Sequence, residues 1–303
     1  MKRLFFVFNP HSGKGLIKNY LLKIIDTFVK AGYSVEISTT QKRLDAKEQV
    51  IEKAGSCDLI VCAGGDGTLN EVVSGIMESG CQVPVGYIPA GSTNDFASSI
   101  HLPKRMGQAA KIAVEGTPFA VDMGTFNGRT FVYVAGFGAF TDVSYATPQN
   151  LKNVLGHQAY ILEGMKKLAS IKAYDMYVEW EDEVIEDKFI YGMVTNAKSV
   201  GGFSGITGPN VALDDGKFEV TLIKKIRNPI ELQSVLSYLL RITKKSERVV
   251  SFKTHHICFE SNGEVPWVLD GEYGGQPRRA EIRNHKQCVS IMVPEKKPVE
   301  KKR

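Results

Sequence analysis

The sequence predicts a doubly wound α/β domain with a mostly parallel sheet, followed by an antiparallel, sheet-rich half. Three observations predict it. Apolar runs of strand length alternate with helical periodicity as far as about residue 120, glycine-rich loops directly follow those strands, and from about residue 121 the texture changes to alternating, strand-like stretches. With 303 residues, 43% hydrophobic and 23% charged, the chain is large enough for two cores.

The elements follow in order. Residues 4–8 form a buried strand, and Leu21, Ile24, Ile25 and Phe28 then recur at helical spacing until Gly32 closes the turn. A strand over 34–38, a helix over 44–54, a β-rich apolar strand over 58–63, a helix over 67–77 and a strand over 83–88 come next. Such alternation gives a mostly parallel sheet with helices on both faces, whose ligands bind at the strand carboxyl ends. In the second half, alternating patterns predict strands over 131–135, 176–180, 189–194, 218–223 and 256–260. Helical passages over 159–170 and 229–243 interrupt them. In the second, Asn228 is placed to cap, Pro229 suits the first turn, and Leu232, Val235, Leu236 and Leu239 form one face. Both carry Lys or Arg towards their ends, which complements a helix dipole or faces a membrane.

Charge and cysteine content exclude several function classes. The net charge is +5, but five bases and two acids lie in 294–303, leaving the body close to neutral. A nucleic-acid-binding domain concentrates positive charge on its fold, so nucleic acid is not an expected partner; a basic tail suits solubility or weak attraction to anionic lipid. Cys57, Cys62, Cys81, Cys258 and Cys288 are odd in number and form no CxxC pair, so they read as reduced core residues. The apolar run at the N-terminus is broken by Asn9-Pro10 with no cleavage site, and no apolar run approaches about 20 residues. A cytoplasmic protein is expected.

Three strand-end loops carry the candidate chemistry. Asn9-Pro10-His11-Ser12-Gly13-Lys14-Gly15 lies between a strand and a helix, where backbone N–H groups and the helix dipole favour phosphate, although it matches neither GxxxxGK[ST] nor GxGxxG. Gly64-Gly65-Asp66-Gly67-Thr68-Leu69-Asn70-Glu71 surrounds one carboxylate with glycines. Backbone packed this closely on a polyphosphate needs glycine, and an acid there repels phosphate unless a divalent cation intervenes, so Asp66 implies Mg²⁺ with a nucleotide. Pro89-Ala90-Gly91-Ser92-Thr93-Asn94-Asp95-Phe96 again joins a glycine to hydroxyls and an acid; it reads as a phosphate or ribose contact and equally as a helix cap. Later, Asp214-Asp215-Gly216 and Asp270-Gly271-Glu272 each carry Asp-Gly, the commonest hairpin signal, and taken singly they read as structural turns. His255 and His256 alternate across a strand and receive no function.

Taken in that order, Asn9-Pro10-x-Ser12-Gly13, the 64–71 segment, Gly91-x-x-Asn94-Asp95-Phe96, Asp214-Asp215-Gly216 and Asp270-Gly271-Glu272 resemble the soluble bacterial diacylglycerol kinase family over essentially the whole chain. The Gly-Gly-Asp-Gly-Thr segment alone is shared with NAD kinases and resembles 6-phosphofructokinases; the two later motifs favour lipid kinases. The resemblance implies an ATP-binding domain over 1–120, joined by the C-terminal segment 294–303, a lipid-substrate β-sandwich over 121–293, and an active site between them. It implies that Asn9, Pro10, His11, Ser12, Gly13, Thr40, Gly65, Asp66, Gly67, Thr68, Leu69, Asn70, Glu71 and Ser92 hold ATP. Asp270 would be the general base with Glu272 beside it, and Asp66, Asp95 and Asp122 would form a water-linked network around the catalytic Mg²⁺. Asp215 would bind a structural Mg²⁺ with the carbonyls of Ala212 and Lys217.

One departure is Gly91-Ser92-Thr93, where many relatives carry Gly-Thr directly; Ser92 keeps the hydroxyl. The implied reaction is phosphoryl transfer from Mg·ATP to the primary hydroxyl of diacylglycerol at the inner face of the membrane, with Lys166, Lys167, Lys244 and Lys245 as candidate docking residues. A homodimer is compatible with these motifs. The rival readings are a kinase for a sphingoid base, ceramide or phosphatidylglycerol, a soluble NAD kinase-like enzyme, and a nucleotide sensor without catalysis.

Overall fold

The computed structural model describes residues 1–139, 171–198, 200, 207, 211–240 and 242–295. The helix expected over 159–170, with Lys166 and Lys167, and most of the basic tail lie outside the described residues. The chain divides into two compact units, Met1–Met123 with the returning chain from Lys286, and Gly124–His285.

In the first unit, strands β1 (Lys2–Phe8), β2 (Tyr33–Thr39), β3 (Leu59–Gly64) and β4 (Val85–Pro89) are parallel and run in the order β4-β3-β1-β2. They alternate with helices α1 (Leu21–Lys30), α2 (Asp45–Lys53), α3 (Asp66–Ser79), α4 (Asp95–Ser99) and α5 (Met106–Glu115). Every residue of β3 is buried, as a central strand covered on both faces requires. Leu4, Phe6 and Phe8 of β1 pack with Ile24 and Phe28 of α1 and with Ala109, Ala110 and Ala113 of α5, and the rings of Phe6 and Phe28 meet edge to face at 5.4 Å. Helices α2 and α3 pack on each other, and Gly75 of α3 lies against Val50 of α2.

Strand order reverses between β1 and β3, so the loops that leave these two strands diverge and open a crevice at their carboxyl ends. This is where the sequence places the first two glycine loops. A further strand of this unit comes from the end of the chain: Ile291 pairs in parallel with Val85 of β4, and Met292 joins the same core. That pairing assigns 286–293 to the first unit rather than to the second, where the sequence had placed them.

The second unit holds β6 (Arg129–Phe131), β7 (Val134–Gly138), β8 (Tyr174–Trp180), β9 (Glu183–Thr195), β10 (Phe218–Lys224), β11 (Val249–Thr254), β12 (His256–Ser261), β13 (Trp267–Leu269) and β14 (Glu272–Gly275). Strands β5 (Thr117–Phe126) and β15 (Arg279–Val293) contribute one end to each unit. Strand β7 runs antiparallel to β9 and β13, β9 to β8 and β10, and β12 to β8 and β15. The core is aromatic: the indole of Trp267 touches the rings of Phe126, Phe137 and Phe259 at centroid distances of 4.9, 4.9 and 5.1 Å. Each such ring contributes about 1.5–3 kcal/mol through burial.

Asn228 caps helix α6 (Pro229–Leu239), its Oδ1 accepting from the N–H of Glu231 at 2.9 Å. The strand expected over 131–135 is interrupted at Val132 and Tyr133, whose N–H groups donate to the carboxylate of Asp270 instead. The five cysteines are free; Cys62 and Cys258 are buried and the others half-buried, and burial raises the thiols of Cys57, Cys62, Cys258 and Cys288 above the usual range.

Candidate active site

The parallel register brings the ends of β1, β3 and β4 to one edge of the first unit, and their loops pack directly on one another. Gly13 has φ +57°, and a Cβ there would lie 1.9 Å from the carbonyl oxygen of Ala90. A Cβ on Gly91 would lie 2.6 Å from the Cα of Gly65 and 2.8 Å from Oδ1 of Asn94. The first loop thus meets the third, and the third meets the second, at distances only glycine allows.

Hydrogen bonds hold each loop in shape. Oδ1 of Asn9 accepts from the N–H of His11 at 2.9 Å, and the N–H of Asn9 donates to the Ala63 carbonyl at 3.0 Å, tying the first loop to the end of β3. Thr40 donates its N–H to the Phe8 carbonyl at 3.0 Å, which places it beside the first loop. Gly65 precedes the first turn of the 14-residue α3, which carries Asp66 and Gly67, with Thr68, Leu69 and Asn70 following in the helix. Asn94, at φ +53°, bonds both the N–H and the carbonyl of Gly91, at 2.9 and 2.8 Å, while Ser92 stays exposed beside it. The asparagine clamps the loop and leaves the serine hydroxyl presented. Pro10, Ser12 and Gly13 are half-buried and His11 is exposed on the same loop.

Asp66 and Asp95 come together: Oδ2 of Asp66 accepts from the N–H of Asp95 at 3.3 Å, and Asp95 is buried. Asp122 is fully buried in β5, its Oδ1 accepting from the N–H of Gln287 at 2.8 Å. Its carboxylate serves the β5–β15 connection. Glu71 also has a structural task, because its carboxylate accepts from the N–H groups of Leu44 at 2.8 Å and Ala46 at 3.1 Å, at the start of α2. Leu44 has φ +63° and brings no side-chain cap of its own, so a side chain 25 to 27 positions away supplies it.

In the second unit, Asp270 and Gly271 form the two-residue connection between β13 and β14, with φ +51° and +86°, the primed turn that Asp-Gly favours. The turn is structural, and its aspartate does more. Oδ2 of Asp270 accepts from the N–H of Val132 at 2.7 Å, and Oδ1 from those of Tyr133 at 3.0 Å and Val134 at 3.1 Å. Those amides would otherwise serve a strand ladder, which is why the expected 131–135 strand splits into β6 and β7. The carboxylate is buried, whereas Glu272 is half exposed, 3.8 Å from the guanidinium of Arg129. Two acids two residues apart are thereby given different environments.

The turn at Asp214-Asp215-Gly216 places Oδ1 of Asp215 on the N–H of Lys217 at 2.9 Å and Oδ2 on Nζ of Lys253 at 3.0 Å. The same ammonium lies 2.9 Å from Oε1 of Glu219, a residue only 6% exposed, and burial pushes the Glu219 carboxyl up to about 7 against the pull of Lys253. A magnesium ion at Asp215 with the carbonyls of Ala212 and Lys217 would compete with an ammonium the chain itself supplies. These residues do not fit a resident cation while Lys253 holds this position. Lys253→Met is therefore expected to lower the melting temperature by several degrees, since unpairing the buried Glu219 carboxylate costs about 1–3 kcal/mol. EDTA is expected to leave the wild-type melting temperature unchanged; a clear fall in EDTA would restore the metal.

A family model of the diacylglycerol kinase catalytic domain matches residues 3–126. A diacylglycerol kinase of Bacillus subtilis (strain 168) is 33% identical over 300 residues, covering 98% of each chain. The chain belongs to the diacylglycerol kinase family. A diacylglycerol kinase of Staphylococcus epidermidis is 35% identical over 297 residues, covering 97% of this chain and 92% of the relative. A solved structure of a Bacillus anthracis protein described as a diacylglycerol kinase superposes with a TM-score of 0.80 at 25% identity, over 96% of this chain and 95% of that one. Membership of the diacylglycerol kinase family makes this protein an enzyme of the lipid kinase class, and among the described residues no helix is long and apolar enough to cross a membrane. Glu71, Asp122, Asp270 and Lys253 have partners that the sequence did not disclose, because each of these partners lies at least 25 positions away.

Proposed function

We propose that the enzyme transfers the γ-phosphoryl group of Mg·ATP to the primary hydroxyl of diacylglycerol, giving phosphatidic acid and ADP. The observation that carries this reading is the buried Asp270 carboxylate, held by three backbone N–H groups on a turn whose aspartate has positive φ. A carboxylate held by three backbone amides keeps its oxygens in one place.

In this reading Asn9, Pro10, His11, Ser12, Gly13, Thr40, Gly65, Asp66, Gly67, Thr68, Leu69, Asn70 and Ser92 form the ATP site, with Glu71 supporting it through the start of α2. Backbone N–H groups at the start of α3 face the phosphates, and the glycines let them approach. Asp66 and Asp95 are hard oxygen donors that lie together, so the residues present fit a catalytic magnesium, which when bound neutralises phosphate charge. Asp270 orients the acceptor hydroxyl and takes its proton as the oxygen–phosphorus bond forms and the bond to the leaving ADP oxygen breaks. Because phosphoryl transition states are loose, the proton leaves late and a weak base suffices. Burial of Asp270 and exposure of Glu272 support Asp270 as the acceptor.

Transfer of labelled γ-phosphate from Mg·ATP to a panel of lipids in mixed micelles, with free NAD alongside, tests the reading. Label is expected in phosphatidic acid. Label in NAD, in a phosphorylated sphingoid base, ceramide or phosphatidylglycerol alone, or in no acceptor would overturn it.

A further inference from the structure

Helix α6 is more apolar than the core beneath it requires. Leu232 and Val235 are buried, but Ile230 is 79% exposed. The chain beyond the helix does not cover it. The N–H groups of Ile242 and Thr243 donate to the Ser237 carbonyl at 2.8 and 3.2 Å, Oγ of Ser234 bonds Oγ of Ser246 at 2.9 Å, and Arg248 meets Oε1 of Glu231 at 2.6 Å. Residues 242–248 therefore run back beside α6, one contact per turn, and form a single surface element with it. On that element Leu240 is 70% exposed and Ile242 72%.

Basic side chains border these apolar ones. Lys225 and Arg227 precede the helix, Lys244 and Lys245 lie on the returning segment, and all four are exposed. Of the two acids here, Glu231 is taken up by Arg248 and by the N–H of Arg227, which leaves Glu247 as the exposed one. Exposed isoleucine and leucine bordered by exposed lysine and arginine match a bilayer surface, where apolar side chains enter the acyl boundary and cations meet anionic headgroups.

We propose that α6 and the segment 242–248 form a docking surface for an anionic lipid bilayer. The proposal rests on the reading of the protein as a lipid kinase and adds to it the surface by which the enzyme reaches its substrate. Ile230, Leu240 and Ile242 supply insertion, and Lys225, Arg227, Lys244 and Lys245 supply attraction, which salt screens.

The test is sedimentation with phosphatidylcholine vesicles with and without phosphatidylglycerol, for the wild type and for the triple variant Ile230→Ser, Leu240→Ser, Ile242→Ser. The wild type is expected to bind the anionic vesicles and to release from them at high salt. The variant is expected to bind them roughly tenfold or more weakly, with unchanged turnover on a short-chain diacylglycerol dispersed in detergent. Vesicle binding equal to wild type would overturn the proposal, and so would a variant that turns from dimer to monomer with vesicle binding intact, since the surface would then join two copies. Loss of turnover in detergent together with a lowered melting temperature would also overturn it by making these side chains structural. Vesicle binding by a wild type that phosphorylates no lipid would instead sink the lipid kinase reading and leave the docking surface standing.

Discussion

Asp270→Asn is expected to lower kcat about 10³-fold while leaving the dissociation constant for ATP within about threefold of wild type, the range that removal of a general base covers. The proposed ATP contacts all belong to the first unit and Asp270 to the second, so the nucleotide has no direct reason to sense the change. The substitution also has a structural cost. Both carboxylate oxygens of Asp270 accept from backbone N–H groups, one from Val132 and the other from Tyr133 and Val134. An asparagine offers one oxygen and one NH₂, so in either orientation a donor faces a donor, at about 1–3 kcal/mol. A melting temperature several degrees lower is therefore expected as well. Turnover must be measured well below that melting point. If kcat per folded molecule stayed within tenfold of wild type, Asp270 would be a turn-forming residue and the proton acceptor would lie elsewhere.

Gly13→Ala is expected to weaken ATP binding by about 30-fold or more. Two penalties coincide at this position. The left-handed backbone at φ +57° disfavours any Cβ by roughly 1 kcal/mol, and this Cβ would sit 1.9 Å from the carbonyl oxygen of Ala90, which belongs to the backbone and has no rotamer by which to yield. The first and third loops must then separate, and the edge on which the phosphates are proposed to rest comes apart. Gly32→Ala is the control, because Gly32 has φ +88° and a methyl group added there would meet nothing within 4 Å. It should cost stability alone. Titration of a fluorescent ATP analogue, with melting curves for both variants, separates strain from loss of the site. Equal ATP affinity in the two variants would remove the first loop from the nucleotide site.

Much of this chemistry was legible because it is local. A glycine needed for close approach, an aspartate in the first turn of a helix, and an Asp-Gly turn all declare themselves within a few residues, and the 3.6 and 2.0 periodicities mark the strands and helices between them. Asn228 as a cap, the helices at 21–30 and 66–79, and β10 over 218–224 follow from such patterns. The failures were non-local. Residues 131–135 read as one strand because Phe-Val-Tyr-Val-Ala has a strand's composition, and nothing within it indicates that the N–H groups of Val132 and Tyr133 serve a carboxylate 137 or 138 positions later. The hydrogen bonds that Glu71 makes to the start of α2 were likewise not legible, because the motif that contains it lies 25 to 27 positions from those N–H groups.

The sequence by itself determined the alternation that makes a parallel sheet, the placing of glycine loops at strand ends, and the family to which the chain belongs, since propensity, periodicity and motif act over short separations. Tertiary structure alone decided which carboxylates are held in place and by what. A buried carboxylate must find donors wherever the fold brings them, and for the buried Asp270 and Asp122, as for Glu71, the donors come from parts of the chain that only folding places within hydrogen-bond distance.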